Sequence, residues 1–145
     1  MNVQEIMSKD VKTVTSSDPI KKAAEIMKQV DCGSVPVVDQ GKVIAMVTDR
    51  DIVVRAVAGG KGPDTPVKEC MSQTVVTVSP ETDARKAANT MADNQVRRLP
   101  VVQNGQLVGI LAIADLARKN IYVSESGHAL SDISEPNRQS NAVQH

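Results

Sequence analysis

The sequence predicts an α+β protein made of two pseudo-symmetric β-α-β-β-α repeats packed sheet to sheet. Sliding the chain against itself by 64 residues aligns 3–53 with 67–117 without a gap. Sixteen of those 51 positions are identical, among them Val3/Val67, Met7/Met71, Met27/Met91, Pro36/Pro100, Gly41/Gly105 and Asp51/Asp115. Each copy also runs through the same succession of hydrophobic periods, from alternating to helical and back. A unit of about fifty residues is too small to bury an adequate core alone. The two copies must therefore pack on each other, and the pseudo-twofold axis between them creates two related clefts.

Each element follows from its residues. VKTV (11–14) and VVTV (75–78) read as short strands. Ile20, Ala23, Ala24 and Met27, matched by Ala84, Ala87, Ala88 and Met91, fall at helical spacing. Asp18-Pro19 supplies a cap and a first-turn proline, with Ser79-Pro80 doing so slightly earlier in the second copy. SVPVVD (34–39) and KVIAMV (42–47) are β-branched runs joined at Gln40-Gly41, a tight hairpin turn matched by Asn104-Gly105. A second helix starts near residue 49 and near residue 113. The domain reading is repeat 1 over 1–60, a Gly- and Pro-bearing linker over 58–66 and repeat 2 over 67–122. Residues 123–145 are polar and weakly periodic, and are expected to form a loose C-terminal tail.

Composition excludes several classes of function. Seventeen Lys and Arg balance seventeen Asp and Glu, so no basic field attracts nucleic acid or anionic lipid. No apolar run approaches a membrane span and no secretory leader is evident, so the default expectation is cytoplasmic. With one Tyr and no Phe or Trp, aliphatic side chains and Met fill the core. Any base-like ligand must then lie between aliphatic walls, because aromatic stacking platforms are missing. Cys32 and Cys70 are isolated and read as small buried hydrophobes, while His128 and His145 sit in the polar tail. This is not metal-ligand spacing of the usual kind, so no metal or cofactor is expected, although the spacing leaves open a zinc site assembled in three dimensions. There is no nucleophile paired with a base and no Walker-type glycine loop, so an enzyme is not expected.

Two positions carry the chemical contrast between the copies. VTDRDIVV (47–54) aligns with LAIADLAR (111–118), so Thr48 and Asp51 are matched by Ala112 and Asp115. Thr48 followed by Asp51 has capping-box spacing, in which the two side chains satisfy the first N–H groups of a helix. On the four residues Thr48, Asp49, Arg50 and Asp51 alone, that cap is a sufficient explanation, although capping does not exclude binding. Ala112 removes the cap and the hydroxyl, so the Asp115 copy is expected to be weaker or vacant. Arg97-Arg98 is either a solvated pair or a forked phosphate partner.

The chain resembles paired CBS-domain proteins (Bateman modules) over roughly residues 1–120. The resemblance rests on Val3-x-x-Ile6-Met7, on Gly33-Ser34-Val35-Pro36-Val37-Val38-Asp39 and on Val47-Thr48-Asp49-Arg50-Asp51-Ile52. Their second-copy counterparts are Glu69-Cys70-Met71, Val96-Arg97-Arg98-Leu99-Pro100-Val101-Val102 and Gly109-Ile110-Leu111 leading to Asp115-Leu116. It implies a disc-like homodimer and a regulatory role through adenosine-containing ligands, without catalysis. It also implies a principal site in which Thr48, Asp49, Arg50 and Asp51 face Met71, Val76, Val96 and Arg97, with Arg98 adjacent. There the carboxylate would accept from a ribose diol, and the hydroxyl and free helix-start N–H groups would suit a phosphate. A second, weaker site would join Asp115 to Met7, Lys12, Cys32 and Gly33. The expected function is therefore a sensor of AMP, ADP, ATP or a relative that transmits occupancy to an unidentified protein target. The alternative is a ligand-free structural or stress-related interaction module.

Overall fold

Hairpin turns fix the sheet. In the computed structural model, which describes residues 1–73, 75–119 and 123–135, β1 (Ser34–Asp39) pairs antiparallel with β2 (Lys42–Thr48). β3 (Arg98–Gln103) likewise pairs with β4 (Gln106–Ala112). Gln40 and Asn104 adopt φ 53°, and Gly41 and Gly105 adopt φ 80°. Both central residues of each turn are thus left-handed, the geometry whose twist matches that of the flanking strands. Each hairpin carries an irregularity at the same place, Val37/Val38 and Val101/Val102. The hairpins meet at Lys42↔Gln106, giving one four-stranded sheet in the order β1-β2-β4-β3.

α1 (Ile20–Val30) and α3 (Ala84–Asn94) lie where the helical spacing predicts, and each ends on a left-handed residue, Asp31 or Gln95. Their expected caps differ. Pro19 occupies the N-cap of α1, while the Asp18 carboxylate turns back to accept from the Thr15 N–H at 2.8 Å. Ser79 and Thr82 bond to each other in a turn, leaving Asp83 to precede α3. The second helix of each repeat starts as expected. α2 opens as an α-turn, Asp49–Asp51, and runs on as a π-helix, Ile52–Val57. α4 spans Ile113–Ala117.

The predicted strands at 11–14 and 75–78 shrink to one bridging residue each. Val14 pairs parallel with Val37, and Val78 with Val101. Each donates to a proline carbonyl, Pro36 or Pro100, and accepts from Val38 or Val102. A proline carbonyl can accept, but Pro has no N–H to extend the ladder.

The repeats exchange their leading segments. Val3–Glu5 forms a 3-10 turn whose Val3 is wholly buried in the core of repeat 2, beside Ala87, Met91, Leu99 and Leu111. The turn Val67–Glu69 buries Val67 and Cys70 in the core of repeat 1, beside Ala23, Val35 and Val47. Ser8 then bridges Ile110 of β4, and Ser72 bridges Met46 of β2. Gly109 permits the first crossing, since a Cβ there would lie 2.9 Å from the Ser8 carbonyl oxygen. Neither core is complete within its own fifty residues.

One expectation is corrected. Residues 123–134 do not form a loose tail: Val123–Ser134 is a helix, α5, packed on α3 and α4 with Ala129 fully buried. Polar small residues hide its apolar face in the sequence. Positions 136–145, the rest of the expected tail, and 120–122, the end of the expected second repeat, lie outside the described residues.

Two carboxylates contribute to the response to acid. Asp39 accepts from the Ser16 hydroxyl at 2.7 Å and the Ser16 N–H at 3.0 Å. These bonds hold its carboxyl below the ordinary range, as the Thr15 N–H, with Lys22 beside it, does for Asp18. Both groups bind protons less readily folded than unfolded. Their stabilisation is complete above the unfolded value of about 3.9 and is lost as pH falls through the lower folded value. Urea midpoints should therefore drop from about pH 4 downward, and Asp39→Asn should flatten that acid limb.

Candidate functional site

At the start of α2 the capping box is made in full. The Thr48 hydroxyl oxygen accepts from the Asp51 N–H at 3.0 Å, and the Asp51 carboxylate accepts from the Thr48 N–H at 2.9 Å. The other early N–H groups are taken as well. That of Asp49 donates to the Gly33 carbonyl at 2.9 Å, and that of Arg50 to the Asp49 carboxylate at 2.8 Å. The free N–H groups expected here for a phosphate are therefore absent in the first turn of α2. Arg55 joins this end to the other repeat: its Nε lies 3.9 Å from Asp51, and its Nη1 donates to the Cys70 and Met71 carbonyls.

At the start of α4 half of the box survives. Asp115 accepts from the Ala112 N–H at 2.8 Å, although Ala112 offers nothing in return to the Asp115 N–H. Ala112 thus removes the hydroxyl but not the carboxylate's own capping bond. The second oxygen of Asp115 accepts from the Arg118 guanidinium in a close ion pair. Asp115 is 7% exposed, whereas the Arg118 side chain is 70% exposed.

The Asp115 end opens into a cleft of about 280 Å³ between the repeats. Repeat 1 contributes Ser8, Asp10, Lys12, Cys32 and Ser34, and repeat 2 contributes Arg98, Ile110, Asp115 and Arg118. Val11, Val30 and Pro36 add aliphatic wall. The crossing of Ser8 onto Ile110 is what brings the two sets together. A neighbouring cavity of about 350 Å³ shares Asp115 and Arg118 and adds Glu5, Met7 and Lys119.

The expected groupings are redistributed. Arg98, assigned beside Thr48, lines the Asp115 cleft together with Lys12 and Cys32. Arg97 is exposed, and its carbonyl accepts from the Ile113 N–H. Gly33, assigned to the Asp115 site, lies instead against Asp49, whose carboxylate would be 3.0 Å from a Cβ there. Met7 sits in the neighbouring cavity. Met71 packs on the core of repeat 1, while Val76 and Val96 pack on that of repeat 2. Sequence reasoning missed Ser8, Ser34 and Arg118. The first two follow only from the crossing, but Arg118 stood three residues after Asp115, a helical neighbour's spacing.

The cysteines differ in chemistry. Cys32 is half-buried in the cleft and donates to the Ser34 carbonyl at 3.3 Å. Cys70 is fully buried, and burial pushes its thiol up. Native-state iodoacetamide should therefore label Cys32, and Cys70 only on unfolding, as read by peptide mass mapping. Among the described residues no group of three or more His, Cys, Asp or Glu side chains could hold a metal ion. None of the described helices is long and apolar enough to cross a membrane.

Two matched α-β-β-α units that exchange their leading segments, with a cleft at their junction, define a tandem-repeat architecture. The CBS domain family model matches residues 3–57 and 67–121, and the chain belongs to that family. It is 42% identical over 136 residues to the CBS domain-containing protein YhcV of Bacillus subtilis, covering 94% of this chain and 97% of that protein. Among solved structures it is similar to Hypoxic Response Protein I with two coordinated zinc ions, at 33% identity and TM-score 0.76. That match covers 82% of this chain and 98% of the other. It is also similar to the CBS domain pair of protein MJ0100 in complex with 5′-methylthioadenosine and S-adenosyl-L-methionine. There the identity is 28% and the TM-score 0.73, over 81% of this chain and 94% of the other.

Proposed function

We propose that the chain is a regulatory module that binds an adenosine nucleotide of the AMP, ADP or ATP class between its repeats and passes occupancy to a separate protein. The observation that carries this reading is the cleft at Asp115, where aliphatic walls, the carboxylates of Asp10 and Asp115 and the cations Lys12, Arg98 and Arg118 converge from both repeats, the cations outnumbering the carboxylates. Aliphatic side chains suit an adenine, a carboxylate suits ribose hydroxyls, and Lys and Arg suit a phosphate. Neither Lys12 nor Arg98 has an ion-pair partner among the described residues. A volume of about 280 Å³ falls just below the range of roughly 300–1,000 Å³ usual for small-molecule sites. It favours a mononucleotide over a dinucleotide. The adenosine ligands of the MJ0100 structure, 5′-methylthioadenosine and S-adenosyl-L-methionine, support the adenosine part of this reading; the phosphate part rests on Lys12 and Arg98. This reading makes Asp115, rather than Thr48 and Asp51, the principal site.

The module acts by binding rather than catalysis, and its two unpaired thiols fit a reducing, cytoplasmic setting. Val53, Val54 and Val57, each about half or more exposed on α2, offer an apolar surface to a second copy in a homodimer.

Thermal unfolding against AMP, ADP, ATP, NAD and S-adenosylmethionine tests the reading, starting from protein shown to be nucleotide-free. A mononucleotide at a hundred times its Kd should add about 2.7 kcal/mol. That increment should vanish in Asp115→Ala and persist in Asp51→Ala. No increment with any ligand would leave a ligand-free interaction module.

A further inference from the structure

We infer that Arg118 is a specificity-determining residue that reserves the Asp115 cleft for phosphorylated adenosine ligands, by occupying the carboxylate until a phosphate draws it away. The inference rests on the reading of that cleft as a nucleotide site. Both oxygens of Asp115 are already engaged, one by the Ala112 N–H and the other by Arg118. A ribose diol reaching Asp115 therefore competes with the guanidinium for acceptor capacity. A ligand without a phosphate offers Arg118 nothing in exchange. A phosphorylated ligand gives it a forked, doubly bonded partner of opposite charge.

The geometry permits the movement. Arg118 lines both the 280 Å³ cleft and the 350 Å³ cavity beyond it, and its side chain is 70% exposed, so its guanidinium has room on either side. The partner carboxylate, at 7% exposure, cannot follow it outward. The other repeat supplies an internal contrast. Three residues after Asp51 stands Val54, and the nearest cation to the Asp51 carboxylate, Arg55, is 3.9 Å away and directed to the Cys70 and Met71 carbonyls. Asp51 is not clamped as Asp115 is.

Isothermal titration of the full chain with AMP and with adenosine, in wild type, Arg118→Val and Arg118→Lys, tests the inference. Arg118→Val borrows the residue found at position 54. Wild type should prefer AMP to adenosine by about tenfold or more, the scale of one charge-assisted contact. Arg118→Val should weaken AMP and strengthen adenosine, so that the ratio falls several-fold from both sides. Arg118→Lys should recover part of the AMP preference, since it keeps the charge but not the fork. A merely structural role would move both ligands in the same direction. Equal weakening of both ligands, or an unchanged ratio, would overturn the inference and leave the nucleotide site standing. Absence of binding by wild type to either ligand would overturn both.

Discussion

Val3→Asp should cost about 2.5–6 kcal/mol, although it lies two residues from the first residue of the sequence. Burying a Val contributes about 1.5–3 kcal/mol, and placing a carboxyl in the same apolar site costs a further 1–3 kcal/mol in proteins. Val3 has no exposed surface and touches the core of repeat 2, not that of its own repeat. The Val3 N–H also donates to the Thr82 carbonyl at 2.9 Å, so the segment is held by backbone as well as side chain. A chain-terminal residue ordinarily tolerates such a change. Urea unfolding of Val3→Asp beside Lys9→Asp, an exposed control expected within about 0.5 kcal/mol of wild type, checks it. Near-wild-type stability in Val3→Asp would mean that the segment exchange contributes little. The cleft would then lose its structural basis, because the same segment delivers Ser8 and Lys12 to it.

The parts of the fold legible in sequence are those set by local chemistry. Gln40-Gly41 and Asn104-Gly105 announce their turns because few residue pairs accept two left-handed conformations in succession. The 3.6-residue spacing in α1 and α3 is similarly local. The segment exchange is not legible, because Val3 and Val67 are identical and either would satisfy either core. Repeat symmetry predicts two clefts, but not which side chains each receives. Arg98 is the case in point, since it begins β3 opposite Ala112 and so faces the cleft of its own repeat's carboxylate. The contrast at Thr48 and Ala112 has a capping explanation in the structure. A hydroxyl that caps a helix occupies a backbone N–H that would otherwise be open to a ligand, here that of Asp51. Arg118 is not legible from the repeat either, because its counterpart is a valine, Val54.

Removing α5 should destabilise the chain by about 2–4 kcal/mol and act almost wholly on repeat 2. The pseudo-twofold axis supplies the reference state. On α3, Ala88, Met91 and Ala92 are at most 2% exposed; their counterparts on α1 are exposed Ala24, half-buried Met27 and exposed Lys28. The difference is α5, which has no counterpart in repeat 1 and seats Ala129 against that face. The Arg85–Glu125 pair and the bond from Gln95 to the Asp132 carbonyl hold it there, both at 3.2 Å. Apolar burial of this size is worth several kcal/mol, offset by the entropy of ordering a dozen residues. A cycle with Ala92→Lys, which installs the residue of the uncovered repeat, separates docking from general damage. In the full chain the lysine must be forced beneath α5 and should cost about 2 kcal/mol or more. In a chain ending at Lys119 the same position faces water, and the change should fall within about 0.5 kcal/mol of neutral. That non-additivity is the signature of two groups in contact. Equal costs in both backgrounds would mean that Ala92 is buried by something other than α5, and that the helix merely decorates repeat 2 rather than completing its core.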